Sequence, residues 1–267
     1  MTAQSVALRP STKRSSGMFL GFRTVFRKEM TEWLRGRAAL IVAGVSIASA
    51  IFTTVIPFVV RASGEAAQGG PALSLDPTAN VLLGWRGGQT VVVIAVLATM
   101  ALLSAERDRG TLAWSLTNPV SRTSVIAAKF CAAVLVVGTA AVLLPLAISV
   151  AVATVAYGAL PDLATVGLFA LLFLALPVFF IGVTVALGTF VKSTAGVAGI
   201  AFAVMFVPAI FGGLLPIVNE ISPTSIGTWA LATATGQPAS GLTIAGWLVS
   251  MVVLVIGAKL VFDRQEF

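Results

Sequence analysis

Charged side chains are scarce in this 267-residue chain, and the densest group outside the N-terminal segment is Glu106, Arg107, Asp108 and Arg109. Such a group can make charge-assisted hydrogen bonds to a partner surface. The chain has no histidine and one cysteine, Cys131, so the commonest general base is missing and no disulfide framework is predicted. No Gly-x-x-x-x-Gly-Lys-[Ser/Thr] motif occurs, so no triphosphate site is predicted. The expected chemistry is contact with a partner, not catalysis.

The composition excludes several classes of protein. Apolar residues make up 58% of the chain and charged residues 10%, against roughly 45–50% and about 25% in soluble domains. A globule with so little charge could not cover its surface with polar groups. This argues against a soluble enzyme, a disordered chain and a nucleic-acid-binding domain, despite the net charge of +7.

Long apolar runs predict an all-α polytopic membrane protein. A bilayer core of about 30 Å needs ~20 apolar residues in a helix, and such a helix satisfies its own backbone polar groups in lipid. Stretches free of Asp, Glu, Lys and Arg predict six transmembrane helices, at 38–60, 87–105, 130–155, 163–191, 193–219 and 242–261. Segment 221–241 is interpreted as a partly buried outer loop with a short helix at 228–235. Prolines inside the runs are expected to kink their helices; they are Pro57, Pro145, Pro177, Pro208 and Pro216.

The distribution of Lys and Arg sets the predicted orientation. With the N-terminus inside, all of the 17 Lys and Arg residues except Arg61 and Arg86 lie on the inner side. The basic excess is therefore a topology signal, and both termini are expected to be cytoplasmic. We predict one membrane domain over 1–267, with a cytoplasmic tail and amphipathic helix at 1–37, the six-span bundle at 38–261 and a second tail at 262–267.

Residues 18–37 have the pattern of an amphipathic interfacial helix. The apolar face carries Phe22, Phe26, Met30 and Trp33, and the basic face carries Arg27, Lys28 and Arg35. A membrane anchor that sets topology is the simpler interpretation. Glu29, however, falls on the apolar face, where an unpaired carboxylate is costly. We therefore expect Glu29 to pair with a basic residue of the first cytoplasmic loop.

The loop between the second and third predicted spans runs from Ala105 to Arg122, and Lys129 follows it. Gly110 can end the second span, and Pro119 ends a short apolar-polar segment. Ser121 can cap the third helix. These features predict a helical elbow on the cytoplasmic side, and an ordinary positive-inside loop is the alternative.

Two segments carry a resemblance to a known family. The order Glu-Arg-x-x-Gly-Thr-Leu from Glu106 to Leu112, then Pro-Val-Ser-Arg ending at Arg122 and a lysine, resembles the first cytoplasmic loop of ABC transporter permeases of the type-2 export class. The segment from Phe26 to Arg37 resembles the connecting helix before the first span of that family. Chain length, span number and the long fifth outer loop agree, so the resemblance covers essentially the whole chain. Ala113 departs from it, since the family often has an acidic residue there.

The resemblance implies a permease subunit of an ATP-driven exporter that does no chemistry itself. It implies half of a translocation pathway, paired with a second copy or a paralogue, and a coupling elbow docked on a cytoplasmic ABC ATPase subunit. That ATPase would bind ATP and Mg, and no cofactor is expected in this chain. The connecting helix would lie beside the elbow, with Arg107 or Arg109 as a partner for Glu29.

The residues that the resemblance implies at the ATPase contact share one loop; they are Glu106, Arg107, Gly110, Thr111, Leu112, Trp114, Pro119, Val120, Ser121 and Arg122. Those of the connecting helix are Lys28, Glu29, Trp33 and Arg35. The small-residue stripe from Ala195 to Gly199 permits close helix contact and is expected either between subunits or within one chain. The outer loop 219–241 is expected above the pathway, where the family has an outer gate.

The predicted spans carry almost no ionisable side chains, which favours an apolar or amphipathic cargo. The expected location is a bacterial inner (plasma) membrane, from the resemblance and from a composition rich in Ala, Val and Gly and poor in Lys. Two other classes of function stay open. One is a membrane scaffold or sensor that binds a cytoplasmic partner and transports nothing. The other, an intramembrane enzyme, is disfavoured because the spans hold no acid pair and no Ser-Lys arrangement.

Overall fold

The computed structural model describes residues 20–62, 76–85, 89–105 and 120–263, and within these ranges the chain contains helices and no strand. The helices are α1 Phe22–Arg35, α2 Arg37–Ala62, α3 Pro77–Gly84, α4 Gln89–Thr99, α5 Arg122–Val137, α6 Leu144–Tyr157, α7 Leu163–Phe173, α8 Ala175–Gly188, α9 Thr194–Gly212, α10 Pro216–Ile221, α11 Ile226–Ala234 and α12 Gly241–Asp263. A π-helical turn, Gly138–Leu143, joins α5 to α6, and a 3₁₀ turn, Pro223–Ser225, precedes α11.

Five helical stretches in the described ranges are long and apolar enough to cross a membrane; they are Arg37–Ile56, Thr123–Tyr157, Leu163–Gly188, Thr194–Gly212 and Gly241–Val261. They overlap five of the predicted runs, so the prediction of a helical multi-pass membrane protein is confirmed. The bounds differ most at two of them, because the run predicted at 130–155 already begins at Thr123 and the run predicted at 193–219 ends at Gly212. The run predicted as the second span contains α4, which has 11 residues. At 1.5 Å per residue α4 is about 16 Å long, which is shorter than a bilayer core.

The chain continues past the end of α4 in helical turns. Met100 donates its N–H to the Val96 carbonyl at 2.8 Å, and Ala105 donates to the Ala101 carbonyl at 3.2 Å. Between them the N–H of Leu102 bonds three residues back instead of four. The run therefore keeps helical hydrogen bonds up to residue 105, with a local tightening that interrupts the regular helix.

Of the five prolines expected to kink their helices, Pro145 and Pro177 lie next to breaks in longer helical stretches, whereas Pro57 and Pro208 lie inside the uninterrupted helices α2 and α9, and Pro216 begins α10. Pro145 has no N–H to donate to the carbonyl four residues before it. The preceding turn widens into the π-helical segment, in which Leu144 donates its N–H to the Thr139 carbonyl. Pro177 follows the break between α7 and α8 at Leu174 in the same way.

The core surrounds α7 and α8. Phe169, Phe173 and Phe180 are fully buried there, and the Trp85 ring meets Phe173 edge-on with centroids 5.7 Å apart. Helices α4 and α12 pack on α8, α11 packs on α7, and α2 packs along α6. Many large apolar side chains of α2, α9 and α12 remain exposed, as expected for helices that face lipid or another subunit.

Helix α3 was missed by the sequence analysis, which treated the outer segment around it as a connection. Its signal is local: the Asp76 carboxylate accepts the Thr78 N–H at 2.9 Å, and Pro77 occupies the first turn. An acidic N-cap followed by proline is a typical helix start. The helix is only 8 residues long, so apolar periodicity gave no sign of it.

The predicted short helix in the outer loop is confirmed as α11. It is inserted against the core, because a Cβ added at Gly227 would lie 3.2 Å from Leu176 Cδ2 and 3.3 Å from Phe173 Cε2. Leu176 lies about 20 Å along the α7–α8 stretch from Leu163, at 1.5 Å per residue. The chain between α9 and α12 therefore returns toward the middle of the bundle instead of lying on its end.

Candidate functional site

Helix α1 separates a polar face from a buried face. Its side chains at Arg23, Arg27 and Lys28 are exposed, and Lys28 Nζ lies 3.3 Å from the Glu32 carboxylate one turn later. On the other face Trp33 is buried in the core. The amphipathic pattern is thus real, but part of its apolar face packs against protein.

A glycine begins α1 and brings it against the segment that precedes α5. Gly21 has φ +80°, a conformation that L side chains rarely adopt, and its carbonyl accepts the N–H groups of Thr24 and Val25 at 3.1 Å. A Cβ at Gly21 would collide with the Val120 side chain. Both the backbone angle and the close approach therefore require glycine.

The segment after the predicted elbow is fixed to the start of α1. Ser121 donates its N–H to the Leu20 carbonyl at 3.0 Å. The Ser121 hydroxyl accepts the Ser124 N–H at 3.1 Å, which confirms the prediction that Ser121 caps the third span. The start of α5 is consequently tied to the start of α1.

A buried ion pair joins α1 to α5 farther along. Lys129 Nζ lies 2.9 Å from Glu29 Oε1, and each side chain is only 3% exposed. Lys28 Nζ stands 3.9 Å from the same carboxylate oxygen. Two charges in an apolar environment are stable only when they meet closely, so this contact fixes the register of the two helices.

The register shows that α1 and α5 run side by side in the same direction. Gly21 meets Val120 near the start of both helices, and Glu29 meets Lys129 about two turns later. We define the inner joint as these two contacts together with the Ser121–Leu20 hydrogen bond. Because α1 leads through Gly36 directly into α2, the inner joint connects the first and third predicted spans.

The structure describes only part of the predicted site. Lys28 and Arg35 are exposed on α1, Glu29 and Trp33 are buried, and Val120 and Ser121 are half-buried at the inner joint. Arg122 begins α5, but its side chain lies outside the description. The remaining elbow residues also lie outside the described residues; they are Glu106, Arg107, Gly110, Thr111, Leu112, Trp114 and Pro119.

Lys129 is the functional residue whose role the sequence analysis missed. The sequence predicts a basic partner for Glu29 in the first cytoplasmic loop, and the resemblance implies Arg107 or Arg109. The structure supplies Lys129 instead, 100 positions away along the chain, and Arg107 and Arg109 lie outside the described residues. A usable signal was present: Lys129 is embedded in an apolar stretch from Val125 to Cys131, as a partner for a buried acid should be.

The contacts of the inner joint are of the kind that hold two helices together. In the part of the chain that the structure describes, no three His, Cys, Asp or Glu side chains cluster as a metal site would require. The joint connects the amphipathic helix α1 to a long apolar helical stretch through a buried ion pair and a backbone hydrogen bond. Such a connection can transmit displacement between them.

Comparison with known proteins agrees with this architecture. No curated protein sequence matches the chain significantly. A protein-family model described as "ABC-2 family transporter protein" matches residues 23–267, which spans α1 and every helix after it. The chain therefore belongs to the ABC-2 family of transporter proteins, as a transmembrane component.

Proposed function

We propose that this protein is the permease subunit of an ATP-driven exporter, in which it forms half of the translocation pathway for an apolar or amphipathic cargo. A separate cytoplasmic ABC ATPase binds ATP and Mg and drives it through the elbow 106–122. The single observation that carries the proposal is the inner joint. In a membrane bundle whose sequence has no ATP-binding motif, the inner joint links the end of the proposed elbow both to the amphipathic helix α1 and to a helical stretch of 35 residues, Thr123–Tyr157.

The geometry provides a path by which a movement of the ATPase would reach the membrane helices. At 1.5 Å per residue the stretch from Thr123 to Tyr157 is about 52 Å long, well beyond a bilayer core of about 30 Å. Its first turns, which hold Lys129, would project toward the cytoplasm beside α1. A push on the elbow would then reach α5 directly and α2 through the Glu29–Lys129 pair. The π-helical turn after α5 is a place where that displacement could change the helix direction.

The proposed topology has six spans in one domain, 1–267, with both termini cytoplasmic in a bacterial inner membrane. Support for a crossing at 87–105 comes from its burial, since Val91, Val92, Ala95 and Val96 are almost inaccessible. A helix surrounded by protein tolerates the irregular turns after Thr99 that lipid would not allow. The tails at 1–37 and 262–267 and the basic residues of the inner connections follow the positive-inside pattern.

The partner in the membrane is proposed to be a second copy or a paralogue. The small-residue stripe on α9 has a buried part and an exposed part. Val197 and Ala198 are buried in the bundle, whereas Ala195 and Gly199 are exposed. No atom lies within 4 Å of a Cβ built at Gly199. A face of small residues one turn apart permits another helix to approach closely, which favours α9 as part of the contact between permeases.

The experiment that tests coupling is replacement of charges in the elbow. Glu106→Ala and Arg122→Ala should each weaken attachment of the cognate ATPase about tenfold, as expected when a charge-assisted contact is lost, without changing membrane insertion. Attachment is measured by co-purification and by titration of ATPase onto permease in nanodiscs. Lys192→Ala is the matched control, because Lys192 is an exposed cation in the inner connection between α8 and α9.

Unchanged attachment in both elbow variants would count against the elbow assignment. A scaffold or sensor that binds the ATPase and moves nothing is distinguished by turnover. If ATPase turnover in the assembled complex is the same with and without this subunit, the scaffold is favoured over the permease.

A further inference from the structure

A cavity opens on the side of the molecule opposite to the inner joint. It lies among α8, α9, α10, α11 and the start of α12, and has a volume of about 490 Å³. Ligand pockets in proteins have volumes of roughly 300–1,000 Å³. We call it the outer cavity, because the outer ends of α9 and α12 border it in the proposed topology.

The floor of the outer cavity is apolar and aromatic. Leu176 and Phe180 on α8 line it and are buried, Met205 lines it from α9, and the half-buried Trp229 lines it from α11. These side chains suit an apolar ligand body, and the half-buried Trp229 ring can attract a cation through its π face.

The rim of the outer cavity is polar and carries one charged side chain. Hydroxyls of Thr224, Thr228 and Ser240 line it together with Glu220, and no Lys or Arg is among the described residues that line it. Glu220 is exposed and takes part in no ion pair within the described part of the chain. The outer cavity therefore has a net negative charge with nothing in its lining to offset it.

The position of Glu220 is fixed by its backbone. Its carbonyl accepts the Thr243 hydroxyl at 2.8 Å, and a Cβ at Gly246 would collide with the neighbouring Ile221 carbonyl. Helix α10 is thus held directly against α12. The carboxylate is placed at the cavity by packing and by a hydrogen bond that leave the side chain itself available.

The depth of the outer cavity fits an amphipathic ligand. Trp247 on α12 donates its indole N–H to the Ala175 carbonyl at 3.0 Å, which aligns the first turns of α12 with the junction of α7 and α8. Leu176 and Phe180 lie roughly 20–25 Å along that stretch from Leu163, at 1.5 Å per residue. The cavity consequently extends from a polar rim into the apolar middle of the bundle.

We propose that the outer cavity binds amphipathic organic cations, with the cationic centre between Glu220 and Trp229 and the apolar body against Phe180, Met205 and Leu176. The proposal rests on the proposed function, for which it names the class of cargo held on the outer side. An anion would meet an unbalanced carboxylate, and a neutral ligand would gain nothing from it. A cation with an aromatic or aliphatic body matches both parts of the lining.

The test is direct binding to the purified protein in nanodiscs, without the ATPase. Tetraphenylphosphonium is the cationic probe and triphenylphosphine oxide is the neutral one, each measured by equilibrium dialysis against empty nanodiscs. Wild type should bind the cation at least tenfold more tightly than the neutral compound. Glu220→Gln should weaken cation binding about tenfold, as loss of one attraction between opposite charges near a protein surface predicts, and should leave binding of the neutral compound unchanged.

Three further variants make the result specific. Glu220→Asp keeps the charge and should retain the preference for the cation, whereas Trp229→Ala should weaken the cation more than the neutral compound. Asp162→Asn removes an exposed carboxylate at the start of α7, outside the cavity lining, and should have no effect. Equal cation affinity in wild type and Glu220→Gln, or an equal loss in Asp162→Asn, would overturn the proposal.

Failure of this inference is distinguishable from failure of the proposed function. If cation binding fails while elbow variants still detach the ATPase, the protein is a permease for another class of cargo. If the protein binds the cation but ATPase attachment and turnover are the same with and without this subunit, the binding site in the outer cavity is supported and the permease role is not.

Discussion

Glu29 at the inner joint and Glu220 at the outer cavity are both carboxylates in a largely apolar chain, but their surroundings are opposite. Glu29 is 3% exposed and touches Lys129 at 2.9 Å, whereas Glu220 is exposed and faces a space of about 490 Å³. A carboxylate neutralised inside the chain fixes two helices in register. A carboxylate left facing a cavity can instead take its counter-charge from a ligand. In the proposed function, the difference separates a region that transmits movement from a region that binds a ligand.

Substitutions at the inner joint should destabilise the protein more than substitutions at the outer cavity. Lys129→Ala leaves Glu29 buried without its nearest cation, which costs about 3–5 kcal/mol for a buried pair. We expect a large fall in the Tm of the detergent-solubilised protein, measured by intrinsic fluorescence. The double variant Glu29→Leu/Lys129→Met removes both charges and should recover most of the loss, because apolar replacements of a buried pair are often close to neutral.

The single variant Lys129→Ala and the double variant Glu29→Leu/Lys129→Met also test whether the ion pair holds α1 against α5. A double variant as unstable as the single one would mean that the pair is not what holds α1 against α5. A single variant as stable as wild type would lead to the same conclusion. If the double variant is stable but ATPase stimulation is lost, the pair contributes to transmission in addition to packing.

The outer cavity should respond to packing at Gly246. Gly246→Ala places a methyl group where the Ile221 carbonyl lies, and α10 must then move away from α12. Overpacking of this kind costs about 1–3 kcal/mol, and the Thr243–Glu220 hydrogen bond should be lost. We expect a moderate fall in Tm together with weaker tetraphenylphosphonium binding.

The matched control lies on the same helix. Nothing lies within 4 Å of a Cβ built at Gly257, so Gly257→Ala should be neutral or slightly stabilising, given the higher helix propensity of alanine. If Gly246→Ala and Gly257→Ala behave alike, α10 is not held in place by α12.

A third acid, Asp162, gives the smallest expected effect. Hydrogen bonds from the Thr165 hydroxyl and then from the N–H groups of Ala164 and Thr165 hold the pKa of this N-cap carboxyl below its ordinary value of about 3.8. A lowered pKa in the folded state means that the charge stabilises the fold above pH 3.8 and that this contribution disappears as the pH falls through the lowered value. The Tm of wild type should exceed that of Asp162→Asn slightly at pH 7, and the two should converge on acidification.

An Asp162 difference that persists undiminished at about pH 3, below the ordinary pKa of the carboxyl, would contradict the assigned cause. The amide introduced by Asp162→Asn would keep the capping geometry, so the comparison isolates the charge. All measurements use the same detergent and salt, because exposed charges are screened.

The helices that consist of long apolar runs could be predicted from the sequence. The stretch at 163–188 and helices α9 and α12 follow directly from hydropathy, and the breaks at Pro145 and Pro177 follow from the missing N–H of proline. Helix α3 was not predicted, because a helix of 8 residues is recognised by its cap and is too short to show apolar periodicity.

The sites were harder to reach than the helices. Burial of Glu29 was predictable from its place on an apolar face, but its pairing with Lys129 joins residues 100 positions apart, and no local pattern encodes such a distance. The outer cavity combines residues of several helices, from Leu176 to Thr243. The sequence predicts a partly buried loop at 221–241 with a short helix, but a prediction of secondary structure could not specify which residues of the other helices α11 meets.

The most direct test of the central claim is site-specific photo-crosslinking in the assembled complex. A photoreactive amino acid is placed at Leu112 or Ser115 in the elbow, or at the exposed Ala239 at the outer cavity as the control, and adducts are identified by mass spectrometry. A permease driven through its elbow predicts ATPase adducts from both elbow positions and none from Ala239. Absence of ATPase adducts from the elbow in a complex that hydrolyses ATP would contradict the account.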